Sequence, residues 1–266
     1  MSQKCAVISG ATGGIGRVIV KALMLKGYDV IALGRTPARI AALAQEAQGW
    51  GSLGMAGGAP NICRTLQADL TIDLGLKTLM QMLDTGPSVD VLVTAHGAEP
   101  NVTPTLEGPA LAAMERVWRT DVLGTFELCR RVGWYMTKQQ RGSICLISSI
   151  HALATYPCRT PYATAKAAVV GMARGLAVEW GQYNVRVNAI APWQVEGPRT
   201  QLFIDASRDD LREAYLRRTP MRQLITPQAI AQTVLWLVQT PGVTGQVIVM
   251  DSGLTASAWH EPFTES

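Results

Sequence analysis

Tyr162 and Lys166, four positions apart, are the two side chains whose pairing could do chemistry in this chain. They sit in a stretch, residues 160–180, whose apolar and small residues recur at helical spacing. On a helix, positions four apart share a face with Cβ atoms roughly 5–6 Å apart, so phenol and ammonium would project side by side. A cation beside a phenol favours the phenolate and lowers its pKa from about 10. A tyrosine tuned toward neutral pH can serve as a general acid or base. Alone, such a pair also occurs by chance on a solvated helix face, so the rest of the chain must supply a cofactor and a pocket.

The N-terminal segment offers the cofactor. Residues 5–9 form a short continuous apolar run, as expected of a strand buried on both faces. Gly10, Ala11, Thr12, Gly13, Gly14, Ile15 and Gly16 follow at once, and an apolar-periodic helix then spans residues 15–26 until Gly27 stops it. Strand, glycine-rich turn and helix together make a dinucleotide site. The glycines permit a tight turn and close backbone approach to a pyrophosphate, whose charge the helix N-terminus favours. A second strand, 29–33, ends in Gly34 and Arg35. In dinucleotide folds an acid near this point holds the ribose hydroxyls, whereas an arginine accommodates a 2′-phosphate. Here the acid is missing and Arg35 is present, which favours NADP(H) over NAD(H). The alternative is that Arg35 is a solvated loop residue and NAD(H) is used.

The remaining elements alternate. A helix over 38–48 is followed by a glycine-rich surface loop, 49–61, and a third strand, 62–67. Asp69 stands at that strand's carboxyl end, placed either to contact adenine or to cap the next helix, 73–84. The fourth strand, 89–94, ends in Ala95, His96 and Gly97, where such sheets bind ligands. His96 is there either as a functional group or as an imidazole satisfied by backbone partners. A long helical pattern, 108–139, carries Asp121 near its middle. The fifth strand, 143–148, delivers Ser149 and His151 to the ligand side. The sixth, 185–190, leads to Pro192 and Trp193, and residues 194–226 form an insertion, with a helix over 208–218, of the kind used as a substrate lid. A helix at 227–239, a seventh strand at 246–250 and a polar tail from 255 complete the chain. Strands alternating with helices predict an α/β, Rossmann-type doubly wound parallel sheet of seven strands in a single domain, 1–254, with the tail 255–266 outside it.

Composition narrows the function classes. Of 266 residues, 48% are apolar and 17% charged, as in a folded rather than a disordered protein. The net charge of +4 is scattered, without the basic runs of a nucleic-acid binder. No apolar run approaches the roughly 18 residues of a membrane span, and Met1 to Lys4 lead into a strand rather than a signal-peptide core. The five cysteines are odd in number and lack metal-ligand spacing. These features read as a cytoplasmic protein without a bound metal.

With these residues laid out, the sequence resembles the short-chain dehydrogenase/reductase family over essentially its whole length. The family's Thr-Gly, three residues, Gly-x-Gly signature corresponds to Ser9, Gly10, Gly14, Ile15 and Gly16. Its Tyr-x-x-x-Lys is Tyr162 to Lys166, and its serine, thirteen positions before the tyrosine, falls on Ser149. Residues 186–192 match the sixth-strand motif, and 244–246 and 251–253 the C-terminal pattern. The resemblance implies hydride transfer between a nicotinamide and a carbonyl or secondary alcohol. Ser149 would hold the substrate oxygen, Tyr162 would move its proton, and Lys166 would tune Tyr162 and bind the nicotinamide ribose. Asp121 would occupy the relay position. The cofactor would lie against Ser9, Gly10, Thr12, Gly14, Ile15, Gly16, Arg35 and Asp69, then Leu70, Ala95, Gly97, Pro192 and Val195. The resemblance also implies a homotetramer or homodimer built through the helix around Asp121 and the Tyr162 helix.

Three departures stand out. His96 replaces a methyl-bearing residue of the family motif, Asp121 an asparagine, and Trp193 a glycine. A tryptophan there could narrow the pocket or swing out into the lid. Candidate substrate contacts are His96, His151, Cys158, Trp193 and Glu196. The histidines and the glutamate suit a polar, hydroxylated or acidic substrate, or else serve loop hydrogen bonding. Trp193, Leu202 and Phe203 leave a hydrophobic carbonyl substrate open. A non-catalytic NADP-binding regulator is the rival class, against which stand the intact Ser149, Tyr162 and Lys166.

Overall fold

A computed structural model describes residues 3–51, 61–86, 88–98, 105–106, 110–197, 200, 213 and 216–257. Seven parallel strands form one sheet: β1 (Lys4–Ser9), β2 (Tyr28–Gly34), β3 (Cys63–Gln67), β4 (Val89–Thr94), β5 (Gly142–Ile147), β6 (Val185–Pro192) and β7 (Val247–Met250). Their order is β3-β2-β1-β4-β5-β6-β7. The order reverses between β1 and β4, and at that switch point a doubly wound sheet opens its ligand crevice.

Helices cover both faces, and the strand residues divide between them by alternation. Ala6 and Ile8 of β1 pack with α1 (Gly14–Leu25), α2 (Pro37–Gly51) and the later helix at Pro227–Gln239. Cys5 and Val7 point the other way, toward α3 (Leu76–Thr85), the helical stretch 110–138 and the helix at Thr160–Trp180. A strand buried on both faces has no solvated side, which is why the sequence runs are continuously apolar. The cysteines are all free, and burial pushes the thiols of Cys5, Cys129 and Cys145 up to about 12.

Several boundaries differ from the sequence expectation. α2 continues through Gly49 to Gly51, because Trp50 packs on the core beneath Lys21 and this packing outweighs the glycine penalty. Of the expected loop 49–61, residues 52–60 lie outside the described residues. α3 begins at Leu76 rather than 73. Gly75 is left-handed at φ +78, and a Cβ there would stand 2.2 Å from the Gln67 carbonyl oxygen.

The long helix over 110–138 is not uniform. It comprises α4 (Ala110–Val117), a π-helical turn (Trp118–Leu123) and α5 (Gly124–Lys138). At the end of the turn the Gly124 N–H bonds five residues back, to Arg119 O, and the widened turn carries Asp121 into the interior, 1% exposed. Such bulges gather at functional sites. The following helices are α6 (Thr160–Trp180) and α7 (Pro227–Gln239). The expected helix over 208–218 lies for the most part outside the described residues, as do Leu202 and Phe203. The two ends of the 194–226 insertion are pinned together: Ile225 N–H donates to Gln194 O, and Glu196 N–H to Ile225 O.

Candidate active site

The glycine-rich turn has the shape of a cradle. Gly10 is left-handed at φ +65, and a Cβ on it would stand 2.5 Å from the His96 nitrogen. A Cβ on Gly16 would stand 2.2 Å from the Gly10 oxygen, whereas one on Gly14 would meet nothing within 4 Å. The chain therefore folds tightly on itself below the turn and stays open above it. α1 starts there with no side-chain cap and no acid in its first turn, which leaves its first N–H groups and the positive end of its dipole for an anion. A groove of about 960 Å³ runs from Thr12 and Gly14 between α1 and α7. These features fit the pyrophosphate of a dinucleotide.

Other expected cofactor contacts surround this turn. Ile15 packs on the core. Arg35 is exposed just past β2, and its carbonyl accepts from Gln67 Nε2. Asp69 does not cap α3: its Oδ1 accepts from Thr71 N and Thr71 Oγ1, at 2.9 and 2.7 Å, and these bonds hold its carboxyl below the usual range although burial opposes them. Leu70 packs against Gly124. Ala95 and Gly97 follow β4, Pro192 ends β6, and Val195 bridges to Ile225.

Three elements bring the chemistry together. Two residues past β5 stands Ser149, which is 6% exposed and caps a single helical turn, Ile150–Ala152, by accepting from His151 N at 3.3 Å. α6 then places Lys166 Nζ 5.6 Å from the centroid of the Tyr162 ring. The π turn brings Asp121, whose Oδ2 lies 3.0 Å from Lys166 Nζ. Ile147 O also accepts from Nζ, and Ser148 Oγ donates to Lys166 O. Asp121 Oδ1 accepts from Ala98 N at 2.6 Å. Lysine and aspartate thus form a buried, hydrogen-bonded ion pair beside the phenol.

The proposed substrate residues do not all share one place. His151 packs edge-on to Tyr162 at 5.6 Å and to Tyr156 at 4.6 Å. Trp193 lies 6.2 Å from each of His151 and Tyr156 and is buried, folded inward rather than out toward the insertion. Burial, with Arg159 nearby, pushes the His151 pKa down to about 4. Cys158 is half-buried with φ +64, a left-handed backbone unusual for cysteine.

His96 and Glu196 sit elsewhere. His96 Nδ1 is 2.6 Å from Ser9 Oγ, and Nε2 is 3.2 Å from both Thr120 O and Thr125 Oγ1. Because a carbonyl can only accept, Nε2 carries the proton and Nδ1 accepts from Ser9. The imidazole therefore ties the glycine turn to the π turn, and burial holds its pKa down at about 4. Glu196 is exposed and lines the groove beside Gly13 and Gly14, on the cofactor side. Tyr156 and the buried Arg159, whose guanidinium lies 5.3 Å from the Tyr156 ring, were not legible beforehand. They lie in an irregular segment where no periodicity marks a facing direction. Among the described residues, no cluster of three or more His, Cys, Asp or Glu side chains could hold a metal.

A parallel doubly wound sheet of this kind defines a Rossmann-type protein. The chain belongs to the short-chain dehydrogenase/reductase family, a family model described as enoyl-(acyl carrier protein) reductase matching residues 10–255. It is 31% identical to the 3-oxoacyl-(acyl-carrier-protein) reductase of Thermotoga maritima over 96% of this chain and 98% of that one. It is 27% identical to a D-arabinitol 2-dehydrogenase of Scheffersomyces stipitis, over 95% and 94%. Among solved structures, a short-chain type dehydrogenase/reductase from Mycobacterium ulcerans superposes with a TM-score of 0.86 at 26% identity, covering 96% of this chain and 91% of that one. These relatives support a hydride-transferring oxidoreductase.

Proposed function

We propose that this oxidoreductase interconverts a carbonyl compound and its secondary alcohol with NADP(H), Tyr162 acting as the general acid and base. The observation that carries the reading is the buried Lys166 ammonium 5.6 Å from the Tyr162 ring, at the carboxyl ends of the strands, where Ser149 and the glycine turn also lie. When bound, the nicotinamide supplies or takes the hydride, the two electrons of the couple. Ser149 Oγ holds the substrate oxygen. In reduction a C–H bond forms, the carbonyl π bond breaks, and the oxygen takes its proton from Tyr162, which solvent restores. In oxidation Tyr162 removes that proton. His151, Tyr156 and Trp193 form an aromatic wall beside Tyr162, which suits a substrate with an apolar flank next to its carbonyl.

A screen of ketones and alcohols, followed at the nicotinamide absorbance, tests the reaction class. The expected result is turnover of at least one carbonyl–alcohol pair. Tight NADP(H) binding without any turnover would point instead to a regulator.

Arg35 favours the 2′-phosphorylated cofactor, since the residue at the end of β2 is Gly34 and no acid there repels the phosphate. Arg35→Ala is expected to weaken NADP(H) roughly 10-fold or more, the loss of one charge-assisted contact, and to leave NAD(H) affinity nearly unchanged. Titrating both cofactors into both proteins checks this. A variant that keeps its NADP preference would exclude Arg35 from the site.

Exposed apolar side chains on α5 and α6, among them Phe126, Trp134 and Val178, support a homodimer or homotetramer through these helices. A cytoplasmic location fits the scattered charge. Among the described residues no helix is long and apolar enough to cross a membrane.

A further inference from the structure

The family's asparagine position holds an acid in this chain, and the acid is spent on the lysine. Asp121 and Lys166 side chains are 0% and 6% exposed, with Oδ2 and Nζ 3.0 Å apart. The contact is built from three sides. The π turn aims Asp121 inward, the Ala98 N–H fixes its other oxygen, and Gly97 leaves room for both charges. A Cβ on Gly97 would stand 3.3 Å from Asp121 Oδ2 and 3.5 Å from Lys166 Nζ. The cation beside Tyr162 is therefore one end of a short dipole, whose field falls off with distance faster than that of a lone charge.

We infer that Asp121 is the counter-ion of Lys166 and, by offsetting its charge, keeps Tyr162 in the protonated, proton-donating form at neutral pH, so that the site favours carbonyl reduction there. This rests on the reading of Tyr162 as acid and base. The reaction equilibrium is untouched; what moves is the pH range in which Tyr162 can give a proton. The other titratable groups facing the pair do not imitate the effect. His96, from the end of β4, has both nitrogens engaged, and enclosure keeps it neutral down to about pH 4. His151, from the turn after β5, is likewise neutral above about 4. Arg35 and Arg159 act on these histidines from further out. Asp121 is thus a positioning residue that also sets a charge balance, and it touches neither substrate nor nicotinamide in this scheme.

The test needs no known substrate. In the full-length protein, the Cζ resonance of Tyr162 is titrated by NMR with isotope-labelled tyrosine and assigned by its loss in Tyr162→Phe. Asp121→Asn keeps the shape of the side chain and one acceptor oxygen, for the Ala98 N–H, while removing its charge. The midpoint is expected about one pH unit lower in Asp121→Asn than in the wild type, the lower end of what one nearby charge does. Asp121→Ser, which also lacks the charge, should move it in the same direction if the asparagine variant folds poorly. Equal or higher midpoints in the charge-removed variants would overturn the inference. Where a substrate pair is in hand, the acid limb of kcat for alcohol oxidation should fall by the same amount. A purely structural role would lower kcat at every pH and leave that limb in place. If no carbonyl is turned over, the hydride reading fails while the titration still answers the question about Asp121.

Discussion

Tyr162→Phe is expected to lower turnover roughly 100- to 10,000-fold, the usual contribution of a positioned acid or base, with cofactor affinity and melting temperature within error of the wild type. The substitution removes one oxygen and keeps the ring. The edge-on contact with His151 at 5.6 Å and the seat under Lys166 are contacts of the ring itself and persist in phenylalanine. Tyr162 is half-buried near the start of α6, so its loss opens no core cavity. Turnover is measured at saturating substrate, and cofactor affinity by quenching of protein fluorescence. Activity within tenfold of the wild type would remove Tyr162 from the acid–base role. A matching loss of cofactor affinity would mean that the hydroxyl serves binding instead.

That prediction could be written from the sequence because its parts are local or periodic. Residues 5–9 and 89–94 read as strands buried on both faces, since their neighbours on each side are helices and neither face needs polar residues. Tyr162 and Lys166 share a helix face by spacing alone. The glycine turn was legible because Gly10 and Gly16 pack backbone against backbone, which only glycine allows. The ion pair was hidden for a different reason. It joins residues 45 positions apart in sequence (166 − 121), and the π turn that delivers Asp121 adds one residue to a turn without disturbing the apolar pattern around it. His96 was legible as unusual, but its partners Ser9, Thr120 and Thr125 come from three other elements. Sequence spacing carries no signal for such a bridge. Gly49 and Gly51 misled in the opposite direction: a local rule marked a loop, and the packing of Trp50 overrode it.

The same ion pair gives the largest expected stability effect. Lys166→Met removes the partner of a carboxylate whose side chain is fully buried, while the Ala98 N–H bond to its other oxygen stays. Breaking a buried pair from one side typically costs about 3–5 kcal/mol. For a chain of this size that is on the order of 10 °C in melting temperature. The loss should depend on pH, and its sign follows from linkage. Without the ammonium, burial raises the Asp121 carboxyl above its unfolded value of about 3.9. The penalty is then small near that value, grows as pH rises toward the raised pKa, and is complete above it. Lys166→Met should therefore melt closer to the wild type at pH 5 than at pH 8. The double variant Lys166→Met/Asp121→Leu, with neither charge, should recover most of the loss at pH 8, because two apolar groups can replace a buried pair at little cost. Melting curves of the three proteins at both pH values decide the matter. A single variant as stable as the wild type at pH 8, or a double variant no better than the single, would show that Asp121 is solvated once Lys166 is gone. The buried charge balance beside Tyr162 would then not exist.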